Sequence, residues 1–267
     1  ALLDYGGKPV LIAIVRELSP SIGQCQLTYL PRQPIDFEAA NAQHQRYAAL
    51  LAELGCQVRL LPAEPDLPDA VFIEDTAVVL DEVAILTRPG AASRRPEVAS
   101  VARALEAYRP LAFIEPPGTL DGGDVLRVGR TLYAGLSGRS NPAGIAQLAA
   151  LAAPHGYQVR SLEVQDCLHL KSAVTQVGPG ALLINRQWVA AASFDGLSLI
   201  DVAPEEPLGG NALLLGRTVV HPAACARTRR RLEAHGYTVR TVELSELEKA
   251  EGAVTCCSLI FEQTVPG

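Results

Sequence analysis

No stretch of the 267 residues approaches the ~20 consecutive apolar residues that cross a bilayer, so no membrane association is expected. As given, the N-terminus carries no signal-peptide pattern. The six cysteines fall unevenly, at 25, 56, 167, 225, 256 and 257, without a CxxC pair, and a zinc ribbon is not expected. Cys56 and Cys225 sit in apolar patterns and read as small core residues. This cysteine usage favours a reducing cytoplasm. Basic residues are in the minority, 23 Lys and Arg against 29 Asp and Glu, and the net charge of −6 argues against a nucleic-acid partner. The one dense basic run, Arg227-Thr228-Arg229-Arg230-Arg231, lies in a helical pattern and reads as a solvated face. No polar linker interrupts the chain, which favours a single domain over residues 1–267.

What the chain does have is a diverged internal repeat. Leu54-Gly55-Cys56-Gln57-Val58-Arg59 resembles His155-Gly156-Tyr157-Gln158-Val159-Arg160 and His235-Gly236-Tyr237-Thr238-Val239-Arg240. Each Gly suits a helix stop, because it tolerates the left-handed backbone there. The alternating residues that follow favour a strand. A second pattern pairs Gly123-Asp124-Val125-Leu126-Arg127-Val128-Gly129-Arg130 with Gly210-Asn211-Ala212-Leu213-Leu214-Leu215-Gly216-Arg217, two strands joined by a tight Gly turn. Looser copies run from Glu74 to Ile85 and from Ser172 to Leu183. Together they define a strand–strand–helix–strand unit. Four units are evident, and a fifth arises if Pro9–Val15 pairs with Ser258–Glu262, which would close a ring. Helices are expected at Phe37–Leu54, Pro96–Tyr108, Pro142–Ala153 and Pro222–Ala234, three of them opened by proline.

In such a ring the strand starts converge on the axis, and here they are polar: Asp69, Glu74 and Asp75; Asp121 and Asp124; His169 and Lys171; Cys256. Adjacent acids inside the apolar stretch from Val71 to Leu80 are costly unless a cation meets them, either a ligand or an internal Lys or Arg. A catalytic thiol needs a base or cation nearby, and His169 is the candidate. His44, His155 and His235 read as surface residues, and His221 as the approach to a helix. Asp121 would fix the tautomer of His169 and favour its charged form. Taken singly, each residue has a plainer reading: buried thiol, core histidine, turn aspartate, exposed strand start. Only the joint set points to chemistry.

The motifs Val71-Phe72-Ile73-Glu74-Asp75, Ser93-Arg94-Arg95, Leu120-Asp121-Gly122-Gly123-Asp124, Gly135-Leu136-Ser137, Leu168-His169-Leu170-Lys171-Ser172 and Thr255-Cys256-Cys257-Ser258 resemble the dimethylarginine dimethylaminohydrolase family, in order and over nearly the whole chain. The resemblance implies the pentein α/β-propeller, five ββαβ blades about a pseudo-fivefold axis. It implies hydrolysis of asymmetric dimethylarginine or monomethylarginine to citrulline and the methylamine, through a covalent Cys-thiouronium. It casts Cys256 as nucleophile, His169 as general acid and base, and Asp121 as the acid behind it. Glu74 and Asp75 would meet the guanidinium, and Arg94 and Arg139 the substrate carboxylate. Asp69, Leu27 and the Ala250 backbone would lie at the amino end. No cofactor or metal is required, although Cys256 and His169 could form an inhibitory zinc site. The expected partner is the small-molecule substrate, and a homodimer is compatible with the chain.

The nearest alternative is an arginine deiminase-like hydrolase acting on another guanidino compound. Those relatives carry an acid two residues after the histidine; Lys171 stands there in this chain, which favours a substrate whose distal nitrogen cannot donate. A non-catalytic member of the fold would lack the thiol, histidine and acids together. A redox role for Cys256-Cys257 would demand a strained disulfide between neighbours.

Overall fold

The computed structural model describes residues 9–264. In chain order the elements are β1 (Pro9–Arg16), α1 (Phe37–Glu53), β2 (Cys56–Leu61), β3 (Ala77–Val79), β4 (Ala84–Leu86), α2 (Val98–Leu105), β5 (Leu111–Phe113), β6 (Val125–Val128), β7 (Thr131–Leu136), α3 (Pro142–Ala152) and β8 (Gln158–Glu163). There follow α4 (Leu170–Ala173), β9 (Val174–Gly178), β10 (Ala181–Ile184), β11 (Ser198–Asp201), β12 (Leu213–Leu215), β13 (Thr218–Pro222), α5 (Ala226–Ala234), β14 (Thr238–Val242), α6 (Ser245–Glu248) and β15 (Leu259–Thr264).

The strands make five three-stranded sheets. Blades 2 to 5 are β3-β4-β5, β6-β7-β8, β9-β10-β11 and β12-β13-β14, each an antiparallel hairpin followed by a parallel third strand. Blade 1 is assembled from both ends of the chain. In it β15 runs antiparallel to β1, with Ile12 opposite Phe261, and β1 is parallel to β2. This is the five-bladed pentein architecture, with the terminal strands closing the ring.

The core is divided into five apolar clusters, one between each pair of neighbouring blades. Ile12, Ile14 and Phe261 of blade 1 meet Leu86, Val101 and Leu105 of blade 2. Val83 and Ile85 of blade 2 meet Leu132 and Leu148 of blade 3. Leu126 and Tyr133 of blade 3 meet Leu182 and Phe194 of blade 4. Val177 and Ile200 meet Val219 and Leu232 across blades 4 and 5. Val220 and Val242 of blade 5 meet Val15, Tyr47 and Leu51 of blade 1. A single blade exposes both faces of its sheet, so each depends on its neighbours for burial.

The helix-stop glycines take the expected left-handed conformation, φ +94° at Gly55, +78° at Gly156 and +85° at Gly236. Two sequence expectations change. Pro142 does open α3, with the Asn141 side chain accepting from the Gly144 amide. By contrast, Pro96 lies inside a 3-10 turn (Ala92–Glu97) ahead of α2, and Pro222 is the last residue of β13. His44 is not a surface residue. It packs inside α1 at 2% exposure, and burial lowers its pKa to about 4. His221, too, belongs to buried β13, where its Nε2 meets the Gly209 carbonyl.

Candidate active site

Every blade begins with a short turn that delivers polar side chains to the axis just before its first strand. In blade 2 the 3-10 turn Ile73–Thr76 carries Glu74 and Asp75. In blade 3 the turn Gly122–Asp124 follows Asp121. In blade 4 His169 caps α4, which contains Lys171. In blade 1 the segment Thr255-Cys256-Cys257-Ser258 leads into β15.

Asp121 is fully buried. Its Oδ1 accepts the Gly90 amide at 2.9 Å, while Oδ2 lies 3.0 Å from His169 Nε2 and 3.6 Å from Arg139 Nη1. Asp75 lies on the same face of the imidazole, with Oδ1 3.8 Å from Nε2. Gly123 makes this approach available. Its amide donates to Asp75 Oδ1 at 2.9 Å, and a Cβ there would meet His169 Nδ1 at 2.7 Å. Burial alone would lower the pKa of His169. The charges of Asp75, Asp124 and Asp121, together with the Asp121 bond, outweigh it and raise the group to about 9. His169 is therefore an imidazolium at neutral pH.

The cations that the Glu74–Asp75 pair requires are internal. Lys171 Nζ lies 2.5 Å from Glu74 Oε1, and the Thr255 hydroxyl donates to Glu74 Oε2 at 2.7 Å. Arg94 Nη1 lies 2.5 Å from Asp75 Oδ2, and its Nε and Nη2 grip Glu97 at 3.1 and 2.9 Å. Arg94 Nη2 also donates to the carbonyls of Phe72 and Asp69. Burial would raise Asp75, but the charges of His169 and Arg94 bring it well below the usual carboxylate range. Glu74 moves up, because burial exceeds the effect of Lys171. Cys256 keeps partial solvent access. Burial first, then Glu74 and Asp75, hold its thiol well above the usual value. Asp75 acts on both groups: its charge raises the pKa of the His169 imidazole and of the Cys256 thiol alike.

Asp69 accepts the Gln26 amide with both oxygens at 3.1 Å, which ties the 26–30 segment, and so half-buried Leu27, to this side of the site. Arg139 Nη2 reaches the Thr28 hydroxyl at 3.3 Å. Ala250 is buried and packs in the cluster that also receives Leu27 and Cys256. The structure thus links His169, Asp121, Asp75 and Arg139 directly, and sets Cys256 beside Glu74, whose amide donates to the Cys256 carbonyl at 3.1 Å. It turns Arg94 inward, onto Asp75 and Glu97. Among the described residues, the metal-capable donors that group in threes or more are Asp75, Asp121 and His169, within 4.8 Å of one another; Cys256 is outside that set.

A family model described as N,N dimethylarginine dimethylhydrolase, eukaryotic, matches residues 28–262. The chain belongs to the dimethylarginine dimethylaminohydrolase family. It is 38% identical over 248 residues to the N(G),N(G)-dimethylarginine dimethylaminohydrolase of Streptomyces coelicolor, covering 92% of this chain and 95% of that one. The dimethylarginine dimethylaminohydrolase of Pseudomonas aeruginosa, solved as a cysteine-to-serine variant complexed with citrulline, superposes with a TM-score of 0.90 at 32% identity, covering 94% of this chain and 100% of that one. A histidine-to-glycine variant, solved as an adduct with S-methyl-L-thiocitrulline, superposes with a TM-score of 0.89 at 32% identity, covering 93% and 98%.

Three residues around this site, Asn211, Glu97 and Glu251, escaped the sequence reading of function, and a fourth, Asp124, entered it only as a polar strand start. Asp124 is fully buried, accepts both the Ser137 and Ser140 hydroxyls at 2.6 Å, and takes the Leu170 amide at 2.9 Å. Ser140 in turn receives the Asp121 amide, so Asp124 braces the histidine turn, Asp121 and the Arg139 loop together. Burial raises Asp124 to about 6 against the opposing pull of His169. Asn211 brackets Thr255 with two bonds at 3.0 Å, its Oδ1 accepting the Thr255 amide and its Nδ2 donating to Thr255 Oγ1, and Nδ2 also donates to the Lys171 carbonyl at 3.0 Å. Glu97 closes on Arg94, and Glu251 accepts the amides of Thr28, Tyr29 and Leu30 at 2.5–3.0 Å. The repeat alignment of Asn211 with Asp124 was the available signal for those two. Glu97 and Glu251 had none.

Proposed function

We propose that this protein hydrolyses N-methylated arginine, asymmetric dimethylarginine or monomethylarginine, to citrulline and the methylamine. The observation that carries the reading is geometric: the His169 ring is held 3.0 Å from Asp121 and 3.8 Å from Asp75, and the neighbouring buried acid Glu74 donates its amide to the Cys256 carbonyl at 3.1 Å. Each carboxylate oxygen has two lone-pair sites, so Glu74 and Asp75 keep acceptor capacity beyond Lys171, Arg94 and Gly123. They hold the planar guanidinium and fix its carbon opposite the thiol. The bound cation offsets the carboxylate field and favours the thiolate, the thiol proton passing to solvent, from which the released amine later takes one up as its ammonium form. Sulfur attacks the guanidinium carbon, and His169 protonates the departing amine. The carbon left on sulfur is a thiouronium. His169 then takes a proton from water, the hydroxyl adds, the C–S bond breaks and citrulline leaves.

Arg139 holds the substrate carboxylate in this reading, and Arg94 contributes at most the Nη1 hydrogen that Asp75 does not use. Asp69 and the carbonyls of Leu27 and Ala250 receive the amino end. Lys171, fixed on Glu74, stands where a deiminase acid would pair with an unmethylated nitrogen. Residues 1–267 act as one unit, because the ring closes only when β15 joins β1. Six free cysteines are compatible with the reducing cytoplasm. A citrulline assay comparing dimethylarginine, monomethylarginine and arginine tests the assignment. Citrulline should form from the methylated substrates and be lost in Cys256→Ser, whereas preferential turnover of arginine would favour the deiminase reading.

A further inference from the structure

Beside the catalytic cluster lies an apolar cavity of about 360 Å³, within the range of small-molecule sites. None of Cys256, His169, Asp121, Asp75, Glu74 or Asp69 lines it. It is bounded by the 29–30 segment, by the residues just before His169, by the start of blade 5 and by Glu248 to Ala253.

Three properties mark it as a binding site. First, of the five large hydrophobic residues exposed among those described, three line this one cavity: Tyr29 at 53%, Leu30 at 37% and Leu208 at 56% exposure. Apolar surface gathered in one place marks an interaction site, whereas scattered singles do not. Second, its charged lining is of one sign. Asp166, Glu248 and Glu251 contribute, and no Lys, Arg or His does. Glu251 is satisfied by three backbone amides. The side-chain carboxylates of Asp166 and Glu248 have neither a hydrogen bond nor an ion pair among the described residues. Burial, then Glu243, raises the carboxyl of half-buried Glu248, with no cation nearby to reverse it. Third, aromatic faces are at hand in Tyr29 and Trp188, which attract an ammonium group.

We propose that this cavity is a second ligand site, separate from the catalytic cleft, for a small amphipathic cation: an ammonium group on an aromatic or branched aliphatic body. Its walls touch the catalytic machinery at two points. The Cys167 thiol donates to the His169 carbonyl at 3.4 Å. Glu251 holds the 28–30 amides, next to Leu27. An occupant therefore bears on the histidine turn and on the segment at the substrate's amino end without competing for the guanidinium position.

Trp188 is the only tryptophan in the chain, so intrinsic fluorescence reads this cavity directly. The experiment titrates phenethylammonium into the whole protein, alone and with saturating citrulline; the first arm does not depend on the proposed reaction. A saturable change with one midpoint, unmoved by citrulline, is expected. The neutral 2-phenylethanol and the anion phenylacetate should bind at least about tenfold more weakly. Glu248→Gln combined with Asp166→Asn should raise the phenethylammonium midpoint about tenfold and leave that of 2-phenylethanol unchanged, which also shows that the variant cavity is folded. No saturable signal, equal affinity for phenylacetate, or an unchanged midpoint in the double variant would overturn the proposal. So would a midpoint that climbs with citrulline, because the cavity would then be part of the substrate cleft.

Discussion

Blade 3 begins with Asp121-Gly122-Gly123-Asp124 and blade 5 with Leu208-Gly209-Gly210-Asn211, the same four positions of the repeat. Both fold into 3-10 turns, and each presses a glycine onto the turn of the preceding blade. A Cβ on Gly122 would meet the Glu74 carbonyl at 2.0 Å, and one on Gly210 the Ala173 carbonyl at 2.9 Å. The backbone solution is shared, but the side chains diverge. Blade 3 buries two acids, one on the His169 imidazole and one bracing the loops around it. Blade 5 exposes Leu208 at the second cavity and buries a neutral amide that anchors the residue before Cys256. The lesson is that a repeat preserves where a side chain is delivered, while the charge delivered there decides whether the position takes part in proton transfer or only holds the backbone.

The largest effect should follow from neutralising Asp121, the acid on His169. Asp121→Asn should lower kcat by about a thousandfold to ten-thousandfold, as loss of the orienting acid does in a Ser-His-Asp triad, with the circular dichroism spectrum retained. Leu208→Asn, at the equivalent position of blade 5, should change kcat by less than about twofold, since that side chain touches no reacting group. Equal losses in the two variants would collapse the distinction between the blades.

Next comes Arg94→Ala. The carboxylate-binding role that the family resemblance implies for Arg94 would make this mainly a binding defect. With Glu97 left buried without its cation, and Asp75 left only with His169 and the Gly123 amide, the variant should instead lose about 3–5 kcal/mol in urea unfolding and also lose turnover. A raised KM alone, with stability intact, would restore the carboxylate-clamp role. Asn211→Ala should cost about 1–3 kcal/mol, because it strands the Thr255 amide and the Lys171 carbonyl. It should lower Tm more than it lowers kcat, the reverse of Asp121→Asn.

The pH dependence sharpens the contrast further. His169 has a folded pKa of about 9, above its unfolded value of about 6.5. Its charge therefore adds stability that is fully present below about pH 6.5 and is lost as pH rises through about 9. The gap in urea midpoint between wild type and His169→Asn should narrow across that window. The alkaline limb of kcat/KM should fall near pH 9, and Asp124→Asn should shift it downward by removing one of the carboxylates that raise His169. Asn211→Ala should leave the limb in place. The smallest effect belongs to the surface: Arg127→Ala breaks the exposed pair with Asp81 and should cost under about 1 kcal/mol.

The sequence by itself determined the repeat, the closure of Pro9–Val15 with Ser258–Glu262, the glycine stops and the polar strand starts. These are local signals: a left-handed backbone needs glycine, a strand needs alternation, and both recur at fixed offsets. It also identified Glu74 and Asp75 as acids in need of a cation, because two charges in an apolar run are costly wherever the chain goes. Only the tertiary structure decided which cation each acid takes, Lys171 for Glu74 and Arg94 for Asp75, and that His44 is buried. Only it brought Asn211, Glu97 and Glu251 into the site's support and gave Asp124 its partners, Ser137, Ser140 and the Leu170 amide. Those outcomes depend on contacts between blades far apart in the chain. Burial and neighbouring charge set the ionisation of His169 and Cys256, and neither has a signature in linear spacing.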